Sequence, residues 1–503
     1  MKKQALIKAS IFFIVVLFTT INCFSQEPSF TWNLANTKPA KLVDIQLYGN
    51  LTDGYYVVNK EAASGTMFAP TITIEFFNGK QVRLFTQKIV LKNIEDFVDV
   101  LYLNKKIYVF SALYDKNEKK NTLFASALNN NGNLESPQAI TFISAEKMSV
   151  RGLFKVAVSP DQSKLLVLSQ PEYVKNENEK ITISTYDSKL QKIVSAEQTF
   201  PYQWTRAVEN NIFINNSGTV FILKRIDVKG EEDNYTVFAF HNNQMKEFKI
   251  NLGADNKIAN FCSAFSSEGD LAIAGYYTQS RGKISVRMGV PLFGSFLQRI
   301  SDNGEIAKVS AVNPFEKKKD LVAKNIVFDK NNTILLSEKY IVSSQAPQRD
   351  PSQPVNFDNA FARDYTYYGM DIFINGFDKD GKSIYNTVVN KNNTSKNDNG
   401  TWVSYFGSII NGKLYLIFND DKYRYDGSSK AIQFGSTKII VYATMDPATG
   451  VVSKTLPVSN TGPVGGKGAD MWLHPDAFLR INENQFVFRA ENNNIYRMGL
   501  VNF

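Results

Sequence analysis

The chain of 503 residues is 43% hydrophobic and 13% aromatic, so it can bury a large core, and its formal charge of +9 is mild for that length. Two cysteines and two histidines leave little from which to build a disulfide framework or a zinc site of three or four ligands. The lysine clusters Lys116, Lys119, Lys120 and Lys317, Lys318, Lys319 are not interleaved with aromatics, so they read as solvated loop charge and not as a nucleic-acid surface.

The N-terminus carries Lys2, Lys3 and Lys8, then an apolar run through residues 11–18, then Cys23 and Ser25. A basic head, a short apolar centre and small residues behind it predict a secretory signal at 1–25, cut after Ser25, with residues 26–503 as the mature domain. The run is shorter than the ~20 apolar residues of a membrane-spanning helix, and no other stretch is long enough. The rival reading is a lipid anchor on Cys23, but Thr20 and Asn22 stand where such signals usually carry Leu and a small residue. Removing the three lysines of the signal brings the charge to +6. One cysteine, Cys262, then remains, in an apolar stretch where it reads as a small buried hydrophobe.

From residue 42 onward one unit recurs: apolar strand, tight polar turn, apolar strand, variable loop, strand, second tight turn, strand. The first turn falls at 50–54, 104–106, 159–163, 215–218, 266–269, 329–332, 411–412 and 482–484. The second falls at 78–79, 129–132, 187–189, 241–243, 302–304, 378–381 and 446–450. Asn, Asp, Ser and Gly fill both sets, as suits residues that tolerate positive φ or hydrogen-bond their own backbone. Between them lie β-branched and aromatic runs such as Thr71 to Phe77. Helical periodicity is nearly absent. A short helix is expected around residues 313–323, with Asn313 as cap and Pro314 in its first turn.

The last unit stops at Phe503 after its third strand. Residues 29–34, strand-like and ahead of the first unit, would supply the missing fourth strand and leave no sheet edge open. The fold class that follows is all-β, a single β-propeller of about eight four-stranded blades, or seven if one insertion-bearing blade is split in two, with the last blade closed by an N-terminal strand. In repeat form the chain resembles bacterial secreted propeller repeat proteins of uncharacterised function. Ser159-Pro160-Asp161-Gln162-Ser163 and the apolar run after it are similar to one repeat of the periplasmic translocation-type propellers, with Gln162 in place of their Gly.

Signals for chemistry are sparse. His241 falls in a hairpin turn and His474 at the entrance to an innermost strand. No Gly-x-Ser-x-Gly elbow is present. Asp378-Lys379-Asp380-Gly381 matches part of a calcium loop but lacks its third acid and distal Glu, and it matches the other second turns better. The glycine-rich stretch at 461–468 has the wrong spacing to Lys467 for a phosphate loop. Paired carboxylates for glycoside chemistry stay open, because their separation is a spatial fact. No metal and no cofactor is expected.

The two turns share one face of a propeller, and they are tight throughout. The opposite face takes the insertions, and long loops on a rigid scaffold are where function concentrates. Residues 277–293 hold Arg281, Lys283, Arg287 and Phe293; residues 341–370 hold Arg349, Phe357, Phe361, Arg363, Tyr365, Tyr367 and Tyr368. Residues 419–436 hold Tyr423, Arg424 and Tyr425, and the last connection holds Trp472 and His474. Arg287, Arg363, Tyr365, Tyr367, Tyr368, Tyr423, Arg424, Trp472 and His474 are the expected ligand-binding set, Tyr, Trp and Arg being enriched at binding hot spots. The bland counterpart is that these aromatics form a local core under the loops. The expected function is an exported, non-catalytic, monomeric propeller that binds a protein or glycan partner of the cell envelope. The alternative is a carbohydrate hydrolase or lyase using Asp, Glu, Tyr and Arg in the central funnel. An acidic pair facing the central funnel would favour the enzyme; an apolar, aromatic funnel would favour binding.

Overall fold

The computed structural model describes residues 27–38, 42–61, 71–91, 95–172, 174–203, 210–226, 234–253, 255–279, 289–330, 332–345, 364–425, 438–458, 471–492 and 495–503. Among them are eight antiparallel sheets, one per repeat. Blade 1 is Leu42–Asn50, Gly54–Glu61, Thr71–Phe77 and Arg83–Ile89. Blade 2 is Glu95–Leu103, Lys106–Asp115, Lys120–Ala127 and Gln138–Ser144. Blade 3 is Leu153–Val158, Lys164–Gln170, Asn178–Asp187 and Lys192–Gln203. Blade 4 is Asn210–Ile214, Val220–Ile226, Asn234–His241 and Gln244–Lys249. Blade 5 is Lys257–Phe265, Leu271–Thr278, Pro291–Ile300 and Ala307–Lys319. Blade 6 is Leu321–Asp329, Asn332–Gln345, Asp364–Phe377 and Ser383–Val389, with Asn393–Lys396 added to its third strand. Blade 7 is Tyr405–Ile410, Lys413–Asp421, Lys438–Met445 and Val452–Pro457. Blade 8 is Trp472–Arg480, Gln485–Asn492 and Ile495–Asn502, completed by Ser29–Trp32. The eight blades form a ring, a β-propeller.

The turns form as their residues dictate. Asn104 and Lys105, Asn411 and Gly412, and Asn242 and Asn243 all have positive φ at the centre of two-residue hairpins, the mirror-image turn that matches strand twist. In the second turns a side-chain oxygen collects backbone N–H groups two and four residues on: Asn78 takes Lys80 and Val82, Asn129 takes Asn131 and Asn133, and Asp187 takes Lys189 and Gln191. Asp378 does the same for Asp380 and Lys382, so the carboxylate considered for calcium serves its own hairpin. Gln162 sits at φ 60°, the left-handed position for which the similar repeats use Gly.

Residues 313–323 are not a helix. Asn313 and Pro314 belong to the outermost strand of blade 5, opposite Ser295 and Gly294. An outer strand tolerates proline because its outward N–H has no ladder partner to lose. Instead of capping a helix, the Asn313 side chain donates to Gly381 O (3.0 Å) and accepts from Ser383 N (2.9 Å) of blade 6. The helical pieces among the described residues are two single 3-10 turns, Met148–Val150 and Lys422–Arg424. No described helix is long and apolar enough to cross a membrane.

Closure by the N-terminal strand is observed, over Ser29–Trp32 rather than to Leu34. Phe30 pairs with Val501 and Trp32 with Gly499. Asn33 then exchanges backbone and side-chain bonds with Met498 (2.9 Å each), Leu34 is left exposed, and Asn36 and Thr37 pair again with the same strand, opposite Tyr496 and Ile495.

The core lies between blades. At the closing seam Ile45, Tyr55, Val57 and Phe77 of blade 1 pack on Ala477, Val487, Tyr496 and Met498 of blade 8. Cys262 packs among the blade 5 and 6 aliphatics, and burial pushes its thiol up to about 12, which leaves it unreactive. First strands of neighbouring blades touch one another around the central channel, so their residues face it.

Candidate functional site

The blade-6 hairpin is the departure from regularity. Its second and third strands are each 14 residues long, whereas second strands elsewhere run from seven to ten. The six pairs from Tyr340–Gly369 to Gln345–Asp364 carry the hairpin roughly 20 Å beyond the blade's outer strand, at about 3.4 Å per residue. The outer strand ends at Val389, and Asn393–Lys396 takes over its place beside Thr366 to Gly369. Tyr365, Tyr367 and Tyr368, expected in a loop, therefore lie in a three-stranded extension. Strand alternation puts Tyr365 and Tyr367 on one side and Tyr368 on the other.

On the Tyr365 side the rings form a row. Tyr340 and Tyr367 have centroids 6.5 Å apart, and Tyr367 and Tyr365 6.4 Å apart, tilted by 35° and 28°. All three are half-buried. The connection after Lys396 folds over the inner end of the row: a Cβ on Gly400 would stand 2.4 Å from Tyr340 Oη. Tyr367 Oη donates to Asn399 Oδ1 (3.4 Å), and Asn397 Oδ1 accepts from Tyr365 N (2.8 Å). Lys324 of the blade-6 first strand lies over the Tyr340 ring at 5.0 Å, which joins the row to the channel mouth.

The same connection carries Trp402, whose ring meets Trp472 edge-on at 5.1 Å and lies under Lys38 Nζ at 4.7 Å. Lys38 pairs with Glu491 (2.5 Å), and Glu491 with Arg489 (2.7 Å). His474 sits beneath, 5% exposed, with no hydrogen-bond partner for Nδ1 among the described residues. Burial holds its imidazole down to about 4, with Glu491 opposing and Arg489 and Lys38 adding to the shift. His474 is therefore a neutral packing group and not a ligand-facing one. His241 has its Nδ1 3.0 Å from Thr219 Oγ1 and closes its hairpin.

Tyr423 and Arg424 go elsewhere. They form the 3-10 turn after the second strand of blade 7, where Arg424 Nη1 and Tyr425 Oη both donate to the buried Asp420 Oδ2 (2.8 and 2.9 Å). Arg424 and Tyr425 border a cavity of about 340 Å³ with Val388, Val389, Val452 and Thr455, between the outer strands of blades 6 and 7. That is the perimeter, not the channel. Arg281, Lys283, Arg287, Arg349, Phe357, Phe361 and Arg363 lie outside the described residues. Phe293 packs into the core between blades 4 and 5.

Sequence reasoning missed the channel charges. Lys60 Nζ lies 3.6 Å from Asp44 and 3.3 Å from Asp99, the two acids coming from the first strands of blades 1 and 2. Asp476, on the first strand of blade 8, reaches solvent within the channel but is hemmed in, and that desolvation raises its carboxyl; Lys324 opposes and Asp44 adds. Among the described residues the funnel carries charge at Asp44, Lys60, Asp99 and Asp476, with Asp44 and Asp99 sharing one ammonium.

No protein-family model and no curated protein matches the chain. Among solved structures it is similar to the β-propeller domain of the Trilobed protease from Pyrococcus furiosus, at 11% identity and a TM-score of 0.36, covering 85% of this chain and 97% of that one. It is also similar to the WD40 domain of SCAP from fission yeast, at 8% identity and 0.35, covering 95% and 98%. A third likeness is to the Pyrococcus horikoshii acylaminoacyl peptidase, at 10% identity and 0.37, covering 91% of this chain and 58% of that one. Likeness this remote carries no argument about function.

Proposed function

We propose that the protein is an exported binding propeller, without catalysis of its own, whose site is the channel mouth beside the blade-6 extension. The extension is the observation that carries this. Ordering a chain segment costs ~1–2 kcal/mol per residue, and a connection needs none of it when tight turns serve elsewhere. A projecting sheet that holds tyrosines half-exposed beside a channel suits partner capture, since Tyr offers rigid amphipathic area at low entropic cost. Acids do face the funnel, as the enzyme reading asks, but it has less support: Asp44 and Asp99 are both committed to Lys60, and the raised carboxyl of Asp476 has Asp44 as its acidic neighbour.

The test is retention of cell-envelope material on the immobilised mature chain, with Tyr367→Ala and Trp472→Ala beside it. Each variant should lose at least about tenfold in retention, equivalent to about 1.4 kcal/mol, with the melting temperature within a few degrees of the parent. A large drop in melting temperature with retention intact would make these rings local core and defeat the proposal. Export rests on the basic and apolar N-terminal segment. Mass spectrometry of the mature protein should find it starting at Gln26; an intact Met1 in the cytoplasm would overturn export, and a diacylated Cys23 would replace release by anchoring.

A further inference from the structure

Resting on that reading, we infer that the tyrosine row of blade 6 is a stacking platform for a linear carbohydrate chain. The companions of the row decide the ligand class. Residues opposite each other in an antiparallel sheet share a face, so Tyr340, Tyr365 and Tyr367 share theirs with Val342, Ser344, Ser395 and Asn397. Polar groups surround the rings, and Val342 is the aliphatic among them; Ser395 is buried and donates to Asp398 Oδ1 (2.8 Å), so the exposed serine of this face is Ser344. A protein hot spot wants its aromatics inside a desolvated apolar patch, which this face does not offer. A single-stranded nucleic acid would stack on such rings but also needs a positive groove. Here Lys324 shares the Tyr340 end of the row with Asp398 and Asp476, and Asp364 stands at the other end beside Asn397.

A sugar ring has the complementary make-up. One face presents C–H groups that lie flat on an aromatic ring, and its rim presents hydroxyls that need fixed donors and acceptors. Asn399 supplies an amide on backbone at φ 60°, a left-handed conformation whose strain is met by the fold before any ligand arrives, while the Asn397 amide is already committed, accepting from Tyr365 N (2.8 Å) and donating to Asp364 Oδ1 (3.0 Å). Asn399 already accepts from Tyr367 Oη and retains its own NH2 group as donor chemistry at the edge of the row. The rings stand in a line from the channel mouth outward, spaced 6.5 and 6.4 Å, which fits successive residues of a chain and not a single compact ligand.

The probes are linear hexasaccharides of β-1,4-glucose, β-1,3-glucose, α-1,4-glucose and β-1,4-N-acetylglucosamine, titrated calorimetrically into the full mature chain, with oligothymidylate as the nucleic-acid arm. At least one saccharide should bind, more tightly as the hexamer than as its disaccharide. Tyr365→Ala should weaken it at least about tenfold while Tyr365→Phe, which keeps the ring, stays within about threefold. A thermal melt of each variant separates lost binding from lost folding. Binding that is indifferent to Tyr365→Ala in folded protein, or oligothymidylate binding in place of saccharide, overturns the inference. If no saccharide binds while Tyr367→Ala still abolishes retention of envelope material, the sugar assignment fails and the binding reading stands. If retention is unaffected as well, both fail.

Discussion

His474 shows how a side chain that reads as functional in a sequence becomes structural once its neighbours are known. It lies beneath Trp472 and beside the Lys38–Glu491–Arg489 chain of charges, and burial holds it neutral with its imidazole at about 4 against 6.5 when free. Between those two values the unfolded chain binds the proton more readily than the folded one. Stability is therefore fully present above pH 6.5 and falls as the pH drops toward 4, by roughly 3 kcal/mol at 1.36 kcal/mol per pH unit. Glu491 is held below its ordinary value, so the stability it contributes starts to fade only below about 4.5, outside most of that window. Asp398, Asp420 and Asp476 are raised by burial and act with the opposite sign, taking up protons in the folded state. Their effect cancels when parent and His474→Leu are compared at each pH. Denaturant midpoints from pH 7 to 4.5 should fall less steeply for His474→Leu; parallel curves would mean that this imidazole titrates as freely folded as unfolded.

At the scale of strands and blades, the sequence was most readable where geometry is local. Asn78, Asn129, Asp187 and Asp378 each close a hairpin with their own side chain, so the turn spacing alone counted the blades. Reading failed where the deciding partner is distant in the chain. Asn313 and Pro314 carry a helix-start signal, but the ladder to Ser295 and Gly294 and the bonds to Gly381 and Ser383 hold them extended. Tyr365, Tyr367 and Tyr368 looked like loop because their strand partners, Ser344, Val342 and Ile341, sit across a long insertion. The acids around Lys60 were invisible for the same reason: a lone Asp within an apolar strand looks like ordinary alternation until two blades converge. Of the expected binding residues, Tyr367 and Trp472 are brought near each other only through Gly400 and Trp402, which no local signal marked. Arg424 was drawn away by Asp420, a buried carboxylate that needs its guanidinium more than a ligand does.

The ring as a whole depends on four residues at its N-terminal end. Ser29–Trp32 pairs with Gly499 through Asn502, and without it that half of the third strand of blade 8, Ile495–Asn502, would be an open edge, its first residues being covered by Asn36–Thr37. The strand is also glued by side chains: Phe30, 2% exposed, meets Phe488 edge-on at 5.1 Å, and Trp32 meets the same ring at 4.9 Å. Arg497 donates to Asn33 O (2.8 Å), and Lys38 reaches Glu491, so the segment is held at both ends. These contacts separate two failures that deletion alone would merge. Phe30→Ala removes packing and leaves the ladder, so it should cost about 3–5 kcal/mol and lower the melting temperature while the protein stays monomeric. Deleting residues 29–34 behind an intact signal removes the ladder too. Light scattering on the eluting protein should then show association through the free edge, because unpaired N–H and C=O groups in an extended strand recruit another strand. A deletion variant that elutes as monomer and melts with its parent would mean that the seam between blades 8 and 1, where Arg489 donates to Asn59 and Tyr496 to Glu75, closes the ring without the N-terminal strand.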